Sequence, residues 1–454
     1  MTLVAHRPAA TGLEAAVSGL RHALDAGAMR EGLERMLWPD GSGALERVAV
    51  GKLLYRDDGT CSLRYTAAVR DAEGRGRELT VGARILADAE AADTFRRGLE
   101  PIARAAAGHP LLRGLAAALA SDPAVPMTVH AFPIEPELPG LPAATDPARA
   151  GELLAAALGR ADAGPCRVEV AHHPREGRCT LRYRGAGGGT VYAKVARRVS
   201  GEPTAALRAL AARAPGLRVA RPLGAVPELG LSLQSEVAGM PCADALLRAA
   251  PPGQSAAALE ACARAAARVH ACPVAIAGVR SAETDAARLR RDLDLVRGVD
   301  AHLAEDLGGC IDRALIAAGP ARPGPAGLCH GDLTHRQIVL EGDTPGLVDF
   351  DDACMGEAAL DLGHFCAYLR LAARRAAKTA GRDAGQPLCR RFLCAYAAEA
   401  RLGGPERRRL ERRAAVHEAL ALVHVAISSW RHAKPARLAR ARSLLEEGGM
   451  WPRR

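Results

Sequence analysis

The stretch Cys329-His330-Gly331-Asp332, followed by Gln337-Ile338-Val339-Leu340 and then by Leu347-Val348-Asp349-Phe350-Asp351-Asp352, decides how this chain is read. Two short apolar runs are separated by Gly342-Asp343-Thr344-Pro345-Gly346, a cluster of turn formers, so the segment predicts a short hairpin. Acidic residues stand at both ends of it. Asp332 precedes an amide side chain, Gln337, by five residues, and His330 lies two residues before Asp332.

Outward from this hairpin the carboxyl half is rich in alanine and leucine at helical spacing. Helices are predicted over 256–270, 286–316, 358–377, 388–401, 407–430 and 435–447. The amino half carries a repeat. Arg47-Val48-Ala49-Val50 with Cys61-Ser62-Leu63-Arg64-Tyr65 is matched by Arg167-Val168-Glu169-Val170 with Cys179-Thr180-Leu181-Arg182-Tyr183. Each copy closes on a third apolar stretch, 80–85 in the first and 190–195 in the second, so Arg84 and Lys194 hold matching positions. Alternating apolar and polar residues make each copy a three-stranded antiparallel meander, and the pair a duplicated small sheet domain. The proline-rich passage from Phe132 to Pro147 reads as a linker or an extended surface segment. A helix over 204–212, opened by Gly201-Glu202-Pro203, and two strands over 218–225 and 229–237 complete the amino half.

Phosphoryl transfer asks a protein mainly to position groups and neutralise charge, through metal-holding oxygens, a cation on the phosphates and a carboxylate near the attacking hydroxyl. In the kinase catalytic loop an aspartate faces the substrate hydroxyl and an amide five residues later holds magnesium, the spacing of Asp332 and Gln337. His330-Gly331-Asp332, then Val348-Asp349-Phe350-Asp351, then Ala359-Leu360-Asp361-Leu362-Gly363, resembles the signature of the aminoglycoside phosphotransferase and choline kinase-like family. The resemblance implies an α+β, protein-kinase-like two-lobe fold, with an antiparallel sheet lobe followed by a mostly helical lobe. Here the duplicated sheet domain precedes it, giving units at 1–150, 151–238 and 239–454.

It also implies ATP or GTP as phosphoryl donor, Mg2+ as cofactor and a hydroxyl group of a small molecule as acceptor: a sugar, an aminoglycoside or an amino alcohol. Residue by residue, Asp332 takes the place of the catalytic base and Gln337 and Asp349 those of the metal ligands, with glutamine standing where the family usually has asparagine. Lys194 takes the place of the phosphate-pairing lysine, Glu202 that of its carboxylate partner, and Glu236 and Val237 lie in the connection whose backbone binds adenine. Asp361 resembles the aspartate that braces the catalytic loop. Asp351 and Asp352 either assist the metal, contact a cationic substrate or are solvated acids. Gly185 to Gly189 join the second and third strands of their meander and read as a hairpin turn. The nucleotide loop falls instead at 172–178, where Arg175 and Arg178 either touch phosphates or point to water.

Composition narrows the alternatives. The net charge is +10, but the basic residues spread over the whole length, which argues for solvated helix faces over a nucleic-acid partner. Only four of the 61 basic residues are lysine and asparagine is absent, so a lysine inside a strand asks for a reason. The twelve cysteines are scattered without Cys-x-x-Cys pairs, as buried thiols would be. No apolar run of membrane-spanning length and no leader pattern occur, so a cytoplasmic protein with no membrane partner is expected. A kinase-like module that binds nucleotide without transferring phosphate is the competing class.

Overall fold

Tyrosine ends the matching pentapeptides Cys61–Tyr65 and Cys179–Tyr183, and the two rings do the same thing. Each is fully buried, and its hydroxyl donates to a backbone carbonyl of a preceding helix, Tyr65 to Ala23 and Tyr183 to Ala144. A buried phenol needs such a partner, which ties sheet to helix twice in the same way. The computed structural model describes residues 17–70, 76–160, 164–175, 177–185, 189–247, 252–318, 324–376 and 385–452. Residues 186–188 of the glycine run and Glu176 of the expected nucleotide loop lie outside them.

The chain forms two compact units. The first comprises Met1–Val199, Leu223–Gln234 and Ser429–Pro435. Its leading helices are α1 (Leu20–Ala23) and α2 (Ala26–Leu37), the latter N-capped by Asp25. Strands β1 (Leu45–Tyr55), β2 (Cys61–Arg70) and β3 (Gly76–Ile85) form the first meander; helix α3 (Ala89–Ala105) and strands β4 (Leu119–Asp122) and β5 (Met127–Ala131) follow. The sheet order is β1-β2-β3-β5-β4. Helices α4 (Leu141–Thr145) and α5 (Pro147–Leu158) lead to the second meander, β6 (Arg167–Arg175), β7 (Arg178–Arg184) and β8 (Thr190–Ala196). Helix α6 (Glu202–Arg213) and the two-residue strand β9 (Arg218–Val219), which belong to the second unit, intervene before β10 (Pro222–Val226) and β11 (Leu231–Ser235), and the second sheet runs β10-β11-β8-β7-β6. Read from the meander inward, both sheets share one order, and Ser62↔Arg84 stands in the first where Thr180↔Lys194 stands in the second.

The proline-rich passage is not an exposed linker. Leu138, Leu141 and Ala144 are buried in the core under the second sheet, with Phe132, Leu153 and Leu154. Asp146 caps α5 by accepting from the N–H groups of Ala148 and Arg149, Pro147 fits its first turn, and Gly159 closes it at φ 64°. Prolines here start helices and do not prevent packing.

The second unit comprises Ser200–Pro222, Ser235–Ser428 and Ala436–Arg454. Strand β12 (Met240–Pro241), helices α7 (Cys242–Leu247), α8 (Pro252–His270), α9 (Ala282–Arg297) and α10 (Ala301–Ala318) lead to β13 (Ala326–Cys329), β14 (Ile338–Glu341), β15 (Thr344–Leu347) and β16 (Cys354–Glu357). Helices α11 (Ala359–Ala376), α12 (Gly385–Glu399), α13 (Gly404–Arg431) and α14 (Pro435–Glu447) complete the chain. The helix predicted over 286–316 is two helices: the chain breaks at Gly298, and Asp300 accepts from Leu303 N at 3.0 Å to start the second. The core gathers on α8, whose Leu259, Cys262, Ala263 and Ala266 are buried, and on the stacked rings of Phe365 and Phe392. All twelve cysteines are free thiols and all but Cys394 are buried, as expected. Among the described residues no helix is long and apolar enough to cross a membrane.

Candidate active site

Gly331 explains why the stretch reads His-Gly-Asp. Its φ is 82°, and a Cβ there would stand 1.9 Å from the carbonyl oxygen of Asp352, so only glycine fits between the loop and the acidic turn. Strands β13 and β16 pair antiparallel on either side, with Cys329 opposite Cys354. The loop after β13 is pinned from below by Asp361, in the first turn of α11. This fully buried carboxylate accepts from His330 N at 2.7 Å and Gly331 N at 2.9 Å, and lies 3.1 Å from His270 Nε2. Burial alone would raise its carboxyl; the bonds and charges of His270 and His330 outweigh that and hold it at about 2. His270 is itself oriented by Tyr396, 2.9 Å away. His270, Cys329 and Asp361 are close enough together to suggest a metal cluster. The bonds already made by Asp361, and a Cys329 thiol pushed far up by burial, argue against one.

The sequence reading missed Arg280, which accounts for the other side of the loop. Its guanidinium donates to Gly331 O at 2.7 Å and grips Asp285 with two bonds, at 3.1 and 3.0 Å. Ser281 and Thr284 form a capping box that fixes the start of α9 beside it.

Asp332 emerges from this cradle half-buried, its side chain 38% exposed. Gln337 Nε2 donates to Oδ2 at 3.2 Å, and His364 Nε2 lies 3.1 Å from Oδ1, off the line of a good hydrogen bond. Burial pushes the Asp332 carboxyl up, but His364 and the charge of His330 pull harder and leave it below the usual carboxylate range; Asp349 opposes them slightly. Asp332 and Asp349 are therefore within electrostatic reach of one another. His364 could have been found by pattern, because it follows Asp361 by three residues on one helix face. Its contact with Asp332 could not.

Gln337 faces its neighbours in a way the spacing alone does not reveal. Its Oε1 accepts from Thr334 N at 3.1 Å and from the Thr334 hydroxyl, and the backbone donor fixes the amide with its nitrogen toward Asp332. The backbone of Gln337 bridges Thr334 O and Val348 N. His335, in the same loop, is buried with both ring nitrogens unpartnered among the described residues, and burial pushes it down to about 4.

The hairpin differs from the sequence reading at its acidic end. The turn is the two residues Gly342-Asp343, so Thr344 and Pro345 already belong to β15, which ends at Leu347. Asp349 is exposed and takes a left-handed conformation, φ 70° and ψ 59°, and 350–352 coil into a short 3₁₀ turn. A non-glycine residue held there carries strain that is common at functional sites. Phe350 anchors the turn, buried against His330 at 4.6 Å between ring centres and beneath Leu207 and Leu210 of α6.

The remaining expected residues divide between the units. Glu202 opens α6 and takes a hydrogen bond from the Ser200 hydroxyl, which lowers its carboxyl. Exposed Glu236 and half-buried Val237 lead into β12, which pairs with β14. Arg218 holds this connection by donating to Ala238 O at 2.7 Å while contacting Glu341 at 2.9 Å. Lys194 lies half-buried on β8, in the sheet of the first unit.

Residues 183–410, about half of the chain, match the phosphotransferase enzyme family (APH). The chain belongs to that family. Solved structures similar to this phosphotransferase include macrolide 2'-phosphotransferase type I, 21% identical with a TM-score of 0.44, covering 66% of this chain and 97% of that one. A choline/ethanolamine kinase family protein from Mesorhizobium loti is 20% identical, with a TM-score of 0.46 and coverage of 66% and 96%. A putative aminoglycoside phosphotransferase from Ralstonia eutropha is 14% identical, with a TM-score of 0.47 and coverage of 66% and 99%. No curated protein matches the chain. As a phosphotransferase family member with an antiparallel sheet lobe and a helical lobe, the protein has the α+β fold its motifs led one to expect.

Proposed function

We propose that this phosphotransferase moves the terminal phosphoryl group of ATP or GTP, with Mg2+, onto a hydroxyl group of a small molecule such as a sugar, an aminoglycoside or an amino alcohol. The observation that carries the reading is Asp332: a half-buried carboxylate oriented on one oxygen by Gln337 and contacted on the other by His364, within electrostatic reach of Asp349. The depressed carboxyl keeps Asp332 ionised at neutral pH, able to align an incoming hydroxyl and take its proton as the bond to phosphorus forms. Its remaining lone pairs and its exposed fraction leave room for that hydroxyl.

Magnesium would neutralise charge on the transferring phosphates. The donor set suits it, since the exposed carboxylate of Asp349 supplies the hard oxygen this ion prefers. Gln337 would join as a ligand only by turning its carbonyl from Thr334, so in the conformation seen it orients Asp332. Lys194 would pair the nonreacting phosphates with Glu202 as its partner, and the backbone at Glu236 and Val237 would receive the adenine. On this reading residues 1–150 form a non-catalytic repeat, 151–238 the nucleotide-binding amino lobe and 239–454 the helical lobe. Eleven buried free thiols fit a reducing, cytoplasmic setting.

The test is nucleotide consumption across a panel of sugars, amino alcohols and aminoglycosides. Asp332→Ala should abolish transfer, by at least about a thousandfold, while nucleotide affinity stays within a few-fold. Turnover near the wild-type rate in that variant removes the base, and wild-type protein that is stabilised by nucleotide yet transfers nothing removes the activity.

A further inference from the structure

Beyond His364 the surroundings of Asp332 are cationic. On α11, His364 and Tyr368 are one turn apart, and their rings stack at 4.7 Å between centres with 15° between planes. His364 is the residue that contacts Asp332, so the stack continues from the carboxylate along the helix. The Arg437 guanidinium of α14 in turn lies over the Tyr368 ring, 6.0 Å from its centroid. Helix α9 brings Arg288. It stands three residues after Asp285, on the helix face that grips Arg280 and through it Gly331 O, and it contacts Asp292 at 3.6 Å. All of these residues belong to the second unit.

His424 of α13 senses the charge where these elements meet. Its Nδ1 is enclosed without a hydrogen-bond partner among the described residues. Burial pushes the ring down to about 3, and the charges that act on it most strongly are those of Arg288, His364, Asp332 and Arg437, in that order. Three of the four are basic groups, and the acid is Asp332 itself. One turn further along α14, Arg440 adds a third guanidinium, which burial and the charges of Arg375 and Arg437 lower. Asp292 partners Arg288. Arg437 differs: among the described residues no carboxylate and no hydrogen bond takes its donors, and a guanidinium lying over a ring keeps its N–H edge for an acceptor.

We propose that the acceptor carries an oxyanion, a carboxylate or a phosphate group, beside the hydroxyl that is phosphorylated, and that Arg437 and Arg288 hold it. The proposal rests on the phosphotransfer reading above and narrows its acceptor to hydroxy acids, sugar acids and sugar phosphates. An oxyanion meets the planar donors of Arg437 with two parallel N–H···O bonds. The ammonium of an amino sugar or amino alcohol would stand among guanidiniums and be repelled. With the oxyanion held, the hydroxyl lies at Asp332. Its proton passes to that carboxylate, its oxygen bonds the terminal phosphorus of the nucleotide, and the bond from that phosphorus to the bridging oxygen breaks, the electron pair leaving with the nucleoside diphosphate.

Matched acceptors test this with the full-length protein: glucose, glucosamine, gluconate and glucose phosphate in one set, glycerol, ethanolamine, glycerate and glycerol phosphate in another. Each is assayed for nucleotide consumption with ATP and Mg2+, and for binding by isothermal titration with ADP in place of ATP. The anionic members should exceed their neutral and cationic analogues at least about tenfold in kcat/KM and bind more tightly. Arg437→Gln should raise KM for the preferred anion about ten- to a hundredfold with kcat within a few-fold, and Arg288→Gln about tenfold, each the loss of charge-assisted bonds. Arg290→Gln removes the same charge from α9 where Arg290 pairs with Asp312, and should leave the preference as it is, which separates a lost contact from a lower net charge. Melting curves verify that the variants fold. Preference for the carboxylate or for the phosphate member assigns the oxyanion. Transfer that favours the neutral or cationic analogue overturns the proposal and leaves the phosphotransfer reading standing; anions bound through Arg437 but never phosphorylated do the reverse. An anion preference that survives both Arg variants, or no saturable binding of any anionic member, also overturns it.

Discussion

Replacing Asp361 with asparagine probes the cradle of the catalytic loop with a change of one atom. Wild-type Oδ1 accepts from Gly331 N, and Oδ2 accepts from His330 N while facing His270 Nε2. An asparagine keeps its carbonyl best at the second position, which turns its NH2 toward the Gly331 N–H. Two buried donors then face each other unsatisfied, at about 1–3 kcal/mol each, so Asp361→Asn should destabilise the fold by about 2–6 kcal/mol at neutral pH. The charge gives an independent check. Its carboxyl falls from the ordinary 3.8 to about 2 in the folded protein, worth about 2 kcal/mol. A depressed carboxyl contributes stability that is complete above the unfolded value near 4 and is lost as pH falls through the folded value near 2. The gap between wild type and variant should therefore be constant from pH 7 to about 5 and narrow between about pH 4 and 2. Urea unfolding followed by circular dichroism at each pH measures it. A variant within about 0.5 kcal/mol of wild type at pH 7, or a gap that ignores acid, would refute the account of Asp361 as the loop's anchor.

Two further outcomes follow from the same geometry. His364→Asn should lower kcat about tenfold with little change in nucleotide KM, because it disturbs the orientation of Asp332 and nothing the nucleotide touches; steady-state kinetics at saturating acceptor separate the two. Gly331→Ala should cost about 3 kcal/mol or more, since a Cβ 1.9 Å from Asp352 O at φ 82° can be accommodated only by moving backbone. Thermal unfolding reads that loss, and a melting temperature equal to wild type would contradict the packing described for the loop.

Much of the site was legible because its grammar is local. A loop of eight residues can reach its own members, so the spacing from His330 to Gln337 announced Asp332 and its amide neighbour before any fold was known. The hairpin was legible for the same reason, although its last strand stops earlier than alternation suggests: Asp349 turns left-handed, and conformation at a strand end answers to the Phe350 pocket, not to period. Helices of the carboxyl half were visible from their spacing, but the division of 286–316 depends on a cap at Asp300 that composition hides among other polar residues.

The sequence by itself determined the two meanders, the carboxyl-half helices and the acidic motif, because strand alternation, helical spacing and short-loop hydrogen bonding act within a few residues of each other. Only the tertiary structure decided the rest. Arg280 and His364 reach the catalytic loop from 51 and 32 residues away and His270 reaches its anchor Asp361 from 91, the proline-rich passage gains a buried face only when the second sheet covers it, and the row Lys52-Arg64-Gly82-His130 exists only because four strands pair in one register. Such contacts are set by how apolar faces are buried together, and no local pattern records which polar side chains that burial brings into reach.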